Sequence, residues 1–169
     1  RALKMEINNV CLRTMGLPNS HSLATYESLG GYQVWRDIVK NKPDPMKIIS
    51  EMKASGLRGR GGAGFLTGLK WSFMPQKEKQ KKYLICNSDE GEPGTCKDTL
   101  ILLHNPHQLI EGMAITAYVL GIEDSYNYLR GEYMLQYDRC EQALQEAEAA
   151  GLIGENILSS GINFKMFNI

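Results

Sequence analysis

Two short stretches carry residue types that could do chemistry. The first is Gly56 to Gly68, GLRGRGGAGFLTG, with six glycines. A backbone without Cβ atoms reaches positive φ and can lie flat against a ligand. Its N–H groups can then face an anion or a planar ring. Arg58, Arg60 and Lys70 bracket the run, and no acidic residue falls between 52 and 77. Such local positive charge, in a chain of zero net charge, points to a phosphate-bearing ligand. Gly59-Arg60-Gly61-Gly62-Ala63-Gly64 matches GxGxxG. That fingerprint needs a strand before it and a helix after it. The preceding Met46 to Ser55 reads as a helix, so this is not the ordinary dinucleotide turn. A flexible linker is the plain alternative. Linkers pair glycine with serine, whereas this run pairs it with Arg, Phe and Leu.

The second stretch is Asn87 to Gly94, NSDEGEPG, directly after the apolar run Tyr83 to Cys86. In open α/β sheets, ligands bind beyond the carboxyl ends of strands. Asp89, Glu90 and Glu92 repel one another, and need water, a cation, backbone donors or ligand hydroxyl and N–H groups nearby. A solvated turn is the plain alternative. A calcium loop lacks its twelve-residue ligand pattern. His104 and His107 read as surface or capping histidines. No Ser/His/Asp or Cys/His nucleophile set can be assembled. The cysteines at 11, 86, 96 and 140 include no CxxC pair, so they read as free thiols, and no metal site is expected.

These stretches need elements to hold them. Gly31 to Lys40 reads as a short amphipathic helix with Val34, Trp35 and Ile38 on one face. Asp44 caps a second helix that starts at Pro45, carries Met46, Ile48, Ile49 and Met52 as its stripe, and ends at Gly56. Leu69 to Met74 forms a short helical turn, and 76–82, QKEKQKK, a solvated charge run. Tyr83 to Cys86 reads as a buried parallel strand. A helix follows over 106–120, capped by Asn105 and Pro106, with Leu109, Ile110, Met113, Ala117 and Leu120 inward. Tyr126 to Arg130 is a second strand, Met134 to Ala150 a long helix stopped by Gly151, and 162–167 a third strand. This alternation implies an α/β fold with a mostly parallel sheet and flanking helices.

Composition excludes several classes. Hydrophobic residues make up 43% and charged residues 22%, which argues against disorder. Balanced charge, 19 basic against 19 acidic residues, argues against a nucleic-acid binder. No apolar run approaches the ~18 residues that span a bilayer, so no direct membrane insertion is expected. RALKMEINNV is not a secretory signal.

Gly56 to Met74, GLRGRGGAGFLTGLKWSFM, followed by Tyr83 to Asp98, YLICNSDEGEPGTCKD, resembles the NADH- and FMN-binding flavoprotein subunit of respiratory complex I. The resemblance continues through Pro106-His107, Glu111-Gly112, Leu129-Arg130-Gly131-Glu132-Tyr133 and Ala150 to Gly154. It implies an atypical Rossmann-like FMN/NADH-binding domain, here truncated. It further implies that Gly59, Arg60, Gly61, Gly62, Ala63 and Gly64 cradle the nucleotide, with Thr67 and Gly68 at the cofactor and Lys70 on the FMN. Phe65 and Phe73 stack near the adenine. Asn87, Asp89, Glu90 and Gly91 meet the flavin, and Glu92 is the catalytic residue beside the nicotinamide. Leu66 departs from the family's usual proline.

On this resemblance residues 1–43 are an N-terminal extension with a short helix, and 44–169 the first part of the FMN/NADH domain. The family's later flavin motif, ubiquitin-like domain and iron–sulfur cluster domain lie outside the 169 residues. The cofactors implied are FMN and NAD(H). The implied activity is NADH:quinone oxidoreduction, with the isolated fragment inactive. Expected partners are the other complex subunits, especially a small iron–sulfur subunit, in a peripheral arm on the cytoplasmic side of a bacterial inner membrane, or facing the mitochondrial matrix in a eukaryote. Alternatives are the diaphorase subunit of a NAD-reducing hydrogenase or formate dehydrogenase, and an inactive truncated interaction module.

Overall fold

The computed structural model describes residues 9–75 and 80–169. Residues 1–8 of the N-terminal extension and 76–79 of the charge run lie outside the described residues. Among the described residues seven α-helices and three strands follow one another: α1 Leu23–Ser28, α2 Gln33–Asn41, α3 Pro45–Ser55, α4 Thr67–Ser72, β1 Tyr83–Ser88, α5 Lys97–His104, α6 Pro106–Leu120, β2 Asp124–Leu129, α7 Met134–Ala149 and β3 Lys165–Asn168. The sheet is fully parallel in the order β1-β2-β3. The α/β class expected from the alternation is therefore what the chain adopts.

Local chemistry explains several helix ends. The Asp44 carboxylate accepts from the Met46 N–H at 2.9 Å, and Pro45 opens α3. Gly56, Gly121 and Gly151 stop α3, α6 and α7 in the left-handed region at φ 66°, 66° and 68°. Helix α5 is not foreseen in the sequence, because its start carries no local cap. Its N-terminal N–H groups are satisfied by Glu90, upstream of it in the chain. Helix α1 occupies 23–28, with the Ser22 side chain accepting from the Thr25 N–H at its start.

Strand order follows chain order, and parallel crossovers share one hand, so the crossover helices α6 and α7 fall on one face of the sheet. That face packs Leu84, Cys86 and Met166 against Ile110, Ala114, Ala117 and Leu144. The other face leaves Tyr83, Ile85, Tyr128 and Phe167 exposed. The expectation of a doubly buried first strand is thus corrected: only alternate residues of β1 face the core. Similarly, Trp35 and Ile38 are buried but Val34 is exposed, since the inward stripe of α2 is narrower than its apolar pattern. Across the inner face Ser88 donates to Asn127 at 2.6 Å, and Asn127 to Asn168 at 3.0 Å. This polar chain ties the carboxyl ends of all three strands together.

The described part of residues 1–43 packs into the core of the α/β unit. Glu111 of α6 accepts from the Tyr26 hydroxyl at 2.5 Å, the Tyr32 N–H at 2.9 Å and the Trp35 N–H at 3.3 Å. Tyr32 also meets His107 Nδ1 at 3.0 Å, and His107 Nε2 meets Glu146 of α7 at 3.2 Å. His107 is 1% exposed, which corrects its reading as a surface histidine; His104 is half-buried against the Ser20 hydroxyl. Burial pushes the His107 imidazole below its usual range, although Glu146 pulls the other way. A histidine kept neutral in the fold binds fewer protons than in the unfolded chain. Its stabilising contribution is present above the unfolded value of 6.5 and is lost as pH falls below it. Thermal unfolding followed from pH 8 to pH 5 should show a falling melting temperature below 6.5, and His107→Asn should flatten that limb. A limb of equal slope in both proteins would contradict this assignment.

Candidate functional site

The glycine run is pinched into a closed loop. The Gly59 N–H donates to the Phe65 carbonyl at 2.8 Å, the Thr67 N–H to the Leu57 carbonyl at 2.9 Å, and the Arg58 guanidinium to the Gly64 carbonyl at 2.9 Å. Between these ties, the N–H groups of Arg60 to Gly64 have no acceptor among the described residues. Gly62, at φ 121°, lies where a side chain would strain the backbone. The loop's downstream end is fixed by Gly68. A Cβ there would sit 2.5 Å from the Lys53 nitrogen, so only glycine lets α4 lie this close to α3.

The acidic turn begins where β1 ends. Asn87 and Ser88 belong to the strand, and the Asn87 side chain accepts from the Asp89 N–H at 3.0 Å. The three carboxylates then part company. Glu90 is buried at 6% exposure. Its oxygens accept from the Asp98 N–H at 3.0 and 3.2 Å and the Thr99 N–H at 3.2 Å, capping α5, with the Lys97 ammonium at 3.7 Å. Burial alone would raise the Glu90 carboxyl, but those backbone donors and Lys97 outweigh it and hold it below the usual range. Asp89 lies 3.5 Å from the Arg130 guanidinium. Glu92 is exposed and has no side-chain partner among the described residues.

The loop and the turn face each other across a cavity of about 620 Å³, lined by Arg60, Gly61, Gly62, Asn87, Asp89 to Glu92, Thr95, Lys97 and Asp98. A second cavity of about 460 Å³ lies on the other flank of the loop, between Gly59, Phe65, Thr67, Lys70 and Trp71 and the β1 residues Tyr83 and Ile85. The sequence-derived site residues are therefore divided. Arg60, Gly61, Gly62, Asn87, Asp89, Glu90, Gly91 and Glu92 line the polar cavity, and Gly59, Phe65, Thr67 and Lys70 the apolar one. Phe65 and Phe73 lie 6.2 Å apart at 54°, both exposed, with Phe73 lining neither. Ala63, Gly64 and Gly68 line neither cavity. Sequence reasoning misses Thr95, Lys97 and Asp98 although they sit inside the stretch 83–98, because their approach depends on α5. Neither cavity is lined by a histidine or a cysteine. No group of three or more metal-ligating side chains occurs among the described residues. No helix among them is long and apolar enough to cross a membrane.

A row of free N–H donors, glycines with open space beside them, an arginine and a lysine suit a flat, phosphorylated ligand. Residues 52–167 match the family described as the Nuo51 FMN-binding domain. A NADH-quinone oxidoreductase subunit of Rhizobium meliloti (strain 1021) is 52% identical over 155 residues, 92% of this chain and 37% of that protein. A NADH-quinone oxidoreductase subunit of Salmonella typhimurium is 47% identical over 146 residues, 86% of this chain and 33% of that protein. Among solved structures, the NAD+-reducing [NiFe]-hydrogenase in its air-oxidised state aligns with a TM-score of 0.59 at 36% identity, over 74% of this chain and 20% of that one. The chain spans about a third of the length of these curated relatives.

Proposed function

The chain belongs to the Nuo51 FMN-binding domain family, and from that premise we propose that it serves as the FMN- and NADH-binding part of an NADH:quinone oxidoreductase flavoprotein subunit. The observation that carries the reading is the shared cavity between Arg60-Gly61-Gly62 and Asn87 to Glu92. FMN, when bound, supplies the two-electron acceptor for the hydride of NADH. The loop N–H groups from Arg60 to Gly64 and the Arg60 guanidinium hold phosphate or ring carbonyl oxygens. Asn87 and Gly91 meet the ring edge, Lys70 adds a cation from the opposite flank of the loop, and Phe65 with Phe73 offers faces for a base. Asp89 and Glu90 shape the turn, and Glu92, the carboxylate without a protein partner among the described residues, orients the nicotinamide end. Holding two rings in register is the protein's share of the rate.

In this reading residues 44–169 form one part of the FMN/NADH domain, preceded by the extension 1–43. The partners are the other subunits of a peripheral arm, a small iron–sulfur subunit among them. The structural likeness to the NAD+-reducing hydrogenase favours one second reading, a hydrogenase diaphorase subunit, in which the same residues serve identically.

The test uses the full chain in its assembled complex. NADH oxidation with ferricyanide as acceptor is measured beside FMN content. Glu92→Gln should shift NADH affinity or rate by about tenfold or more, the loss of one hydrogen bond to a charged group, with FMN content unchanged. Equal loss of both, or of neither, rejects the assignment.

A further inference from the structure

Arg130 is absent from the site residues that the sequence suggests, and it lines neither cavity. Its guanidinium nonetheless reaches three groups at once. Nη1 donates to the Glu90 carbonyl at 2.7 Å, Nε lies 3.5 Å from Asp89 Oδ1, and Nη2 lies 2.5 Å from Glu132 Oε1. Arg130 follows directly on β2, whose carboxyl end is paired with that of β1 at Leu129 and Ser88. It therefore ties the end of one strand to the turn that leaves the other. Glu90 is the crossing point, with its side chain capping α5 and its carbonyl held by Arg130.

We infer that Arg130 is a positioning residue for the coenzyme cavity: its planar fork fixes the main chain at Glu90 and pairs with the Asp89 carboxylate at the cavity wall. Glu92 and the N–H groups of the turn then remain the groups presented to the ligand. The inference rests on the FMN/NADH reading of that cavity. Magnitudes separate this role from a stabilising one. Asp89 and Glu132 are 44% and 61% exposed at the side chain, and pairs so exposed add little to folding. A displaced turn, by contrast, moves ligand contacts by a distance that costs up to about a hundredfold. A lysine has one charged point and cannot span all three acceptors.

The experiment removes FMN from the full chain in its complex and titrates the cofactor back by fluorescence quenching, for wild type, Arg130→Ala and Arg130→Lys, beside thermal unfolding of the apoproteins. FMN affinity should fall by about tenfold or more in Arg130→Ala, the loss of one contact to a charged group, with the melting temperature nearly unchanged and Arg130→Lys intermediate. Millimolar guanidinium should restore part of the affinity in Arg130→Ala alone. Affinities within twofold of wild type, a loss that tracks the melting temperature, or an absence of rescue would each overturn the inference. A wild-type chain that does not take up FMN would overturn the functional reading beneath it, and that outcome is seen before any variant is compared.

Discussion

Gly61→Val should lower FMN affinity by about ten- to a hundredfold while leaving the melting temperature within a degree or two. In the protein alone the substitution meets nothing: no atom lies within 4 Å of a Cβ built there, and Gly61 does not need positive φ. The loop is exposed. A branched side chain at Gly61 points its volume into the space the ligand would fill, and overpacking of a tight contact costs about 1–3 kcal/mol. At about 1.4 kcal/mol per factor of ten, that predicts the stated loss. Gly16→Val is the control. Gly16 has open space beside it and φ 88°, so it is the more strained substitution, yet it lies outside both cavities and should leave FMN binding unchanged. Titration of FMN into both variants decides. Equal affinity in Gly61→Val and wild type would mean that nothing lies against this loop.

Glu111→Ala should destabilise the chain by about 3–5 kcal/mol, the largest loss expected of a single substitution here. It removes the acceptor of three donors, the Tyr26 hydroxyl and the Tyr32 and Trp35 N–H groups, which stay buried without partners. Tyr26, Tyr32 and Trp35 are each 2% exposed or less, so water cannot replace the carboxylate without opening the core. At roughly 2–4 °C per kcal/mol for a chain of this size, the melting temperature should drop by about 10 °C. Glu111→Gln keeps an acceptor oxygen and should lose less. If both variants melt with wild type, the N-terminal helices are not docked through this carboxylate.

What the sequence reveals and what it hides divide along one physical line. Features set by nearby residues are legible: the Asp44-Pro45 start of α3, the glycine stops of α3, α6 and α7, and the turn after the first strand. Features set by distant partners are not. Helix α5 hides because its cap, Glu90, belongs to another element. His107 reads as a surface residue because Tyr32 and Glu146, which bury it, stand 75 and 39 positions away. The four apolar residues Tyr83 to Cys86 suggest burial on both faces, but the handedness of the crossovers leaves one face open. At the site, the residues of the loop and turn can be picked out one by one, since glycine runs and clustered carboxylates are unusual in themselves. The division of labour among the carboxylates cannot, because it depends on Arg130 and on the start of α5, both brought in by the fold.

In this reading the glycine loop and the acidic turn grip one ligand together. Amide hydrogen exchange of the full chain, with and without FMN, measures it most directly. FMN should slow exchange at 60–64 and at 87–92 together, over the same concentration range, with the exposed amide of Gly16 unaffected. Protection of only one stretch, or of neither while FMN is bound, would mean that the loop and the turn do not share a ligand.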